Sequence, residues 1–140
     1  MQVSLTVRQA VDASNALQAL ARADMPLAFA VKVARLRFAV LAVVEPVEEA
    51  RRLTVERRAP LEEDGSRRVR RLDSGAVIYD LTAAEEFAAE QEFDAVRRES
   101  RVIDIEPLTL ADFPTKVRGD ELSIAADIFV GLGPLFREHA

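Results

Sequence analysis

The chain has 140 residues, 49% of them hydrophobic and 31% charged, with 24 acids against 19 bases for a net charge of −5. That composition is globular rather than disordered, the length suits one domain with its own core, and the acidic total argues against a nucleic-acid coat, which is usually basic. Cysteine is absent, which excludes disulfides, thiolate metal sites and a cysteine nucleophile.

In chain order, "QVSL" alternates like a short strand, and "TVRQ" then forms a capping box with Thr6 at N-cap and Gln9 at N3. Val7, Val11, Leu17 and Leu20 recur at helical spacing, so residues 7–22 are predicted as an amphipathic helix. "ADMP" ends it, and Pro26 suits the first turn of a new helix.

The stretch "MPLAFAVKVARLRFAVLAVVEPVEEARRLTVERR" carries two apolar seams. Phe29, Val33, Leu36, Val40, Val43, Val47 and Ala50 alternate at spacings of four and three, the rhythm of a heptad. Leu27, Val31, Ala34, Phe38 and Leu41 repeat that rhythm on a second face and stop at Glu45. A helix with two apolar faces needs two partners. A membrane span is rejected, because Lys32, Arg35 and Arg37 fall inside the twenty-residue window and each costs about 2.5–3.5 kcal/mol at the bilayer centre. Pro46 is expected to kink the helix. Beyond it, "EEARRLTVERR" reads as a solvated face with Glu48 and Glu49 in reach of Arg52.

Residues 66–81, "SRRVRRLDSGAVIYDL", read as a hairpin turning at "DSG". "TAAE" is a second capping box, Thr82 with Glu85, opening a helix over 83–98. Ala84, Phe87, Ala88, Gln91 and Ala95 mark its weak apolar stripe. "SRVIDIEPL" is predicted as a strand and "ADFPTKVRGDEL" as a loop. Ser123 is placed as the cap of a short last helix, "IAADIFVGL", with "GLGP" as its stop.

Little in the chain resembles catalytic machinery. The one histidine, His139, stands beside the C-terminal residue, so no serine triad or histidine metal site is expected. Glu85, Glu86, Glu90, Glu92 and Asp94 crowd one helix, and Glu86 and Glu90 are spaced to share a divalent cation. Paired helical carboxylates ordinarily need Glu-x-x-His partners for that, so a solvated acidic face is preferred. "RRVRR" places Arg67, Arg68, Arg70 and Arg71 within five residues. Those forked donors could hold phosphates or carboxylates. The preferred reading is an edge strand protected by charge and paired to the protein's own acids. No cofactor and no metal are expected.

The order of these elements resembles a diffuse group of small tailed-phage proteins of unknown function. The resemblance rests on "VSLTVRQAVDASNALQALARADMPLAFAVKVARL", the turn "EEDGSRR", the strand "VIDIEPLTLADF" and the tail "ELSIAADIFVGLGPLF", and so covers most of the chain. The chain departs from the pattern at Pro46, within the charged half of the long helix. The resemblance implies a phage or prophage origin, and the group offers no catalytic residues to carry over. The opening residues lack a signal peptide, so the host cytoplasm is the expected location, with the virion as a further setting.

The expected architecture is one α+β domain over residues 1–140. A helical hairpin, 7–22 and 27–58 with a kink in the second helix, would pack on an antiparallel sheet of 2–5, 66–72, 76–81 and 101–108. The expected function is non-enzymatic: a phage accessory protein that binds protein chains and self-associates, with Leu27, Val31, Ala34, Phe38 and Leu41 as a helix interface. Two alternatives use other partners. One is sequestration of a phosphorylated small molecule by the hairpin arginines; the other is docking on a host enzyme such as RNA polymerase.

Overall fold

The computed structural model describes residues 1–114, 116–117, 120–121 and 126–137. The elements are β1 (Gln2–Thr6), α1 (Val7–Ala21), α2 (Leu27–Arg58), β2 (Val69–Arg71), β3 (Val77–Tyr79), α3 (Ala83–Arg97), β4 (Ser100–Asp104), β5 (Lys116–Val117), β6 (Asp120–Glu121) and α4 (Ala126–Leu132), with 3-10 turns at Leu110–Asp112 and Gly133–Leu135. The protein is α+β, with α2 its longest element. Its contacts separate into two compact units, Met1–Val44 with Arg98–Ala140, and Glu45–Arg97. The division falls just ahead of Pro46, and α2 stays helical from Leu27 to Arg58 across it.

The strands do not join into one sheet. β1 pairs antiparallel with β4, β2 with β3, and β5 with β6, as three separate ladders. The reason lies in β2. A strand enters a shared sheet by offering an apolar face, and every residue of Val69–Arg71 is exposed. Two of its three side chains are arginines, which keep such an edge to itself. β1 and β4 instead bury Leu5 and Ile103 in the core of the first unit.

In that unit, Thr6 caps α1 as the sequence predicts. Gln9 N donates to Thr6 Oγ1 at 3.1 Å, and Thr6 N donates to Gln9 Oε1 at 2.8 Å. The inner face of α1 runs Val7, Ala10, Ala13, Ala16, Leu17 and Leu20, all buried. The expected partner of α1 was the following helix. Both helices do feed one core, which includes Leu17, Leu20, Phe29, Val33, Leu36 and Val40. The close backbone neighbour of α1, however, is α4. Small residues make this approach possible: a Cβ built on Gly131 would lie 2.9 Å from Ala16 Cβ and 3.0 Å from the Asp12 carbonyl oxygen. Gly131, expected to stop the helix, is therefore a packing residue inside α4, and the "GLGP" segment passes on into the second 3-10 turn.

Two further devices close the core. The segment after β4 clasps the tail, with Leu108 N donating to Leu135 O at 2.9 Å and Arg137 N to Leu108 O at 3.0 Å. Phe113 gathers Phe29, Phe129 and Phe136, with ring centroids 5.0, 5.4 and 5.9 Å away. Such aromatic pairs add about 0.5–1.5 kcal/mol each beyond burial. Phe113 lies in the stretch expected as plain loop, and its neighbour Asp112 is tied to α2. Lys32 Nζ stands 2.8 Å from Asp112 Oδ2, and both side chains are part-buried. The predicted cap residue Ser123 lies outside the described residues.

Two predictions follow from these contacts. Gly131→Val forces the α1–α4 seam apart, since its first added carbon already meets Ala16 and Asp12; thermal unfolding should show a loss of about 1–3 kcal/mol, the usual cost of overpacking. The second concerns acid. The Lys32 hydrogen bond, aided by the Thr109 backbone N–H, holds the Asp112 carboxyl below its ordinary value. A depressed carboxylate stabilises the fold above its unfolded pKa of about 3.9, and that contribution disappears as pH falls through the lower folded value. Lys32→Ala should cost about 1.5–3 kcal/mol near neutrality. In denaturant titrations the gap between wild type and variant should stay level down to about pH 5 and narrow below about pH 4.

Candidate interaction faces

The arginine hairpin forms where it was predicted. Leu72 N donates to Ala76 O at 2.8 Å and Gly75 N to Leu72 O at 2.9 Å. Gly75 sits at φ 86°, a conformation that a side chain makes costly. Val69, Arg70 and Arg71 pair with Tyr79, Ile78 and Val77. The guanidiniums do not converge on a common anion. Arg67 donates to the Ala59 carbonyl at 2.9 Å. Arg68 Nε donates to Glu62 Oε1 at 2.9 Å. Arg70 reaches Glu86 at 3.2 Å, with Asp80 at 3.9 Å. Of these four, Arg71 is exposed and shows no partner among the described residues, whereas the other three are engaged. An incoming phosphate would meet three guanidiniums that already hold acceptors of the protein's own.

The acids of α3 are likewise engaged. Glu85 completes the cap with Thr82. Glu86 meets Arg70, Glu90 meets Arg51 and Arg97, Glu92 meets Arg58 at 2.7 Å, and Asp94 meets Arg97 at 2.7 Å. No group of three metal-ligating side chains occurs among the described residues. The acidic face expected to be solvated is thus an ion-pair face within the second unit. Downstream of Pro46, Arg52 pairs with Glu49 and Glu56 rather than with Glu48. The Glu49 carboxyl is lowered by its Arg52 hydrogen bond, and the Asp64 carboxyl by the Ser66 side chain and backbone that it accepts from.

These pairings rotate α3 relative to the expectation. The stripe Ala84, Phe87, Ala88, Gln91 and Ala95 was expected to face inward. Instead Ala89 and Phe93 are buried, with the Arg51 guanidinium 5.2 Å from the Phe93 ring centre. Phe87 is 67% exposed, and its whole stripe faces outward.

On α2, Phe29, Val33, Leu36 and Val40 of the first seam are buried, as is Val44. Val43 and Val47 are half-buried and Ala50 is exposed, so the seam fades after the apolar half. The second seam is uncovered. Leu27 is 80% exposed, Val31 40% and Phe38 82%, with Ala34 exposed and Leu41 half-buried. Beside this seam, a groove of about 350 Å³ runs between the end of α1 and α2, lined by Leu20, Ala23, Met25, Ala34, Arg37 and Phe38 among others. Arg37 Nε is buried there without a hydrogen-bond partner. Arg35 is exposed across the seam.

No helix among the described residues is long and apolar enough to cross a membrane. His139 lies outside those residues. Compared with protein-family models, curated proteins and solved structures, the chain matches none.

The hairpin geometry carries a prediction of its own. Arg68→Ala with Arg70→Ala removes two exposed pairs to separate acids, each worth about 0–1 kcal/mol. The double variant should lose no more than about 2 kcal/mol in a denaturant melt and leave any binding of inorganic phosphate or nucleotides, titrated at low and high salt, as weak as in wild type. It should also aggregate more readily, because the uncharged edge can pair with another chain.

Proposed function

We propose that the protein is a non-enzymatic accessory protein, of the tailed-phage kind that its sequence resembles, and that it acts by binding protein chains, a second copy of itself among them. The observation that carries this reading is the uncovered α2 seam. Leu27 and Phe38 expose four fifths or more of their surface on one line with Val31, Ala34 and Leu41. Scattered exposed apolar residues are ordinary, whereas an aligned row rimmed by polar side chains marks a binding face. Covering each large side chain is worth about 1.5–3 kcal/mol, so the face favours an apolar partner strongly. The arginines at its rim suit a protein surface rather than hydrocarbon. Elsewhere, the displaced titration of Asp112, Glu49 and Asp64 traces to hydrogen bonds that hold parts of the fold together.

Sedimentation equilibrium over a wide range of concentration tests the proposal. Wild type should associate. Phe38→Asp should remain folded by circular dichroism, since the side chain packs on little, and should sediment as a monomer. Val40→Asp is the contrasting control: that side chain is fully buried, and an unpaired charge there should unfold the chain. Equal mass for wild type and Phe38→Asp at every concentration would remove the basis of the proposal.

A further inference from the structure

Two apolar stripes lie open on this chain, one on each compact unit, and their charged borders are opposite in sign. At about 100° per residue, the α2 seam centred on Leu27, Val31, Ala34, Phe38 and Leu41 has Arg35 about 80° to one side and Arg37 about 80° to the other. The same construction on α3, centred on Ala84, Phe87, Ala88, Gln91 and Ala95, puts Glu92 about 80° to one side and Asp94 about 80° to the other. From Leu27 to Val44, α2 carries Lys32, Arg35 and Arg37 and no acid; α3 carries five acids against Arg97. Each stripe bears one prominent exposed ring, Phe38 at 82% and Phe87 at 67%.

We infer that α3 of one copy docks on the first half of α2 of another, a head-to-tail contact between two different faces. This rests on the reading above that the uncovered α2 face takes a protein chain, and it names that chain. Phe87 meets the groove bordered by Ala23, Ala34 and Phe38, where small residues leave room for a ring. Glu92 and Asp94 bring carboxylates to the border that Arg35 and Arg37 line. Both carboxylates already touch an arginine of their own copy, yet both remain more than half exposed, and a carboxylate can accept about four hydrogen bonds. Pairing α2 with the α2 of another copy would bring like-charged borders together. Pairing it with α3 opposes acids to bases.

A contact between unlike faces repeats: each copy still offers its other face, so copies form a ring or an open chain. One helix laid along another is small beside the roughly 800 Å² per partner of stable pairs, so assembly should depend on concentration.

The experiment uses complementary variants. Phe38→Asp spoils the α2 face and Phe87→Asp spoils the α3 face, and because both rings are exposed both proteins should melt like wild type. Each alone should sediment as a monomer where wild type associates. Mixed in equal amounts, they should form a particle of two chains and stop there, since α3 of the first variant finds an intact α2 on the second while the remaining faces are both spoiled. Adding Arg37→Glu to the Phe87→Asp copy should abolish that pair. If Phe87→Asp assembles like wild type while Phe38→Asp does not, the α2 face pairs by another route and this inference falls, with the proposed function standing. If Phe38→Asp also assembles like wild type, or wild type stays monomeric throughout, both fall. Two monomeric variants that fail to pair on mixing, or a pair that survives Arg37→Glu, overturn the docking argued here.

Discussion

A helix can turn only one stripe toward a single core, and in α2 that stripe is Phe29, Val33, Leu36, Val40 and Val44. Much of the first unit is arranged around the burial of this row. Leu5 and Ile103 of the β1–β4 ladder, Leu17 and Leu20 of α1, Leu108, and Leu132 and Leu135 near the tail join it in one cluster. With that row turned inward, the second apolar row on the same helix has nowhere to go. Leu27, Val31, Ala34 and Phe38 face outward because their angular position on the helix is already determined by the residues that are buried.

The two units are held by different kinds of force. The first relies on close packing, as in the Gly131–Ala16 approach and the ring cluster about Phe113, and the Lys32–Asp112 ion pair ties a 3-10 turn to α2. The second has few buried side chains: Ala59, Ala89 and Phe93 are its buried apolar residues. It is knitted instead by arginines of α2 and of the hairpin reaching carboxylates of α3. Exposed pairs of this type contribute little singly and are screened by salt. Salt and heat should therefore loosen the second unit before the first, a difference that follows from composition. The chain turns from apolar to charged at Glu45–Pro46, and the unit boundary lies at the same place.

What could be read from the sequence is what depends on near neighbours. The capping boxes at Thr6 and Thr82 and the "DSG" turn are complete within a few residues, and all three form as predicted. The inner row of α2 was legible because large apolar side chains repeat over several turns. The rest needed distant partners. In α3, five alanines dilute the periodicity, so the inward face is decided by Arg51 on Phe93 and by the ion pairs, and the sequence order conveys neither. Gly131 resembles a helix stop until Ala16 lies against it. The four strands looked capable of one sheet, yet a strand of Val69–Arg71 with no apolar face cannot be recruited into it. On the candidate faces, the positions of Leu27, Val31, Ala34, Phe38 and Leu41 were legible as a row. Their exposure was not, because it depends on what the other elements leave uncovered.

Exposed rows of this kind invite indiscriminate association, and their borders govern which partner is accepted. On α2, Arg35 and Arg37 stand where a second α2 would bring its own arginines, so self-pairing by that face sets charge against like charge in a partly dry interface. The cost of such a juxtaposition runs to several kcal/mol and is large beside what a single helix contact gains. An acidic border removes that cost. The docking proposed above turns on these borders: on the outer face of α3, Glu92 and Asp94 flank the apolar stripe.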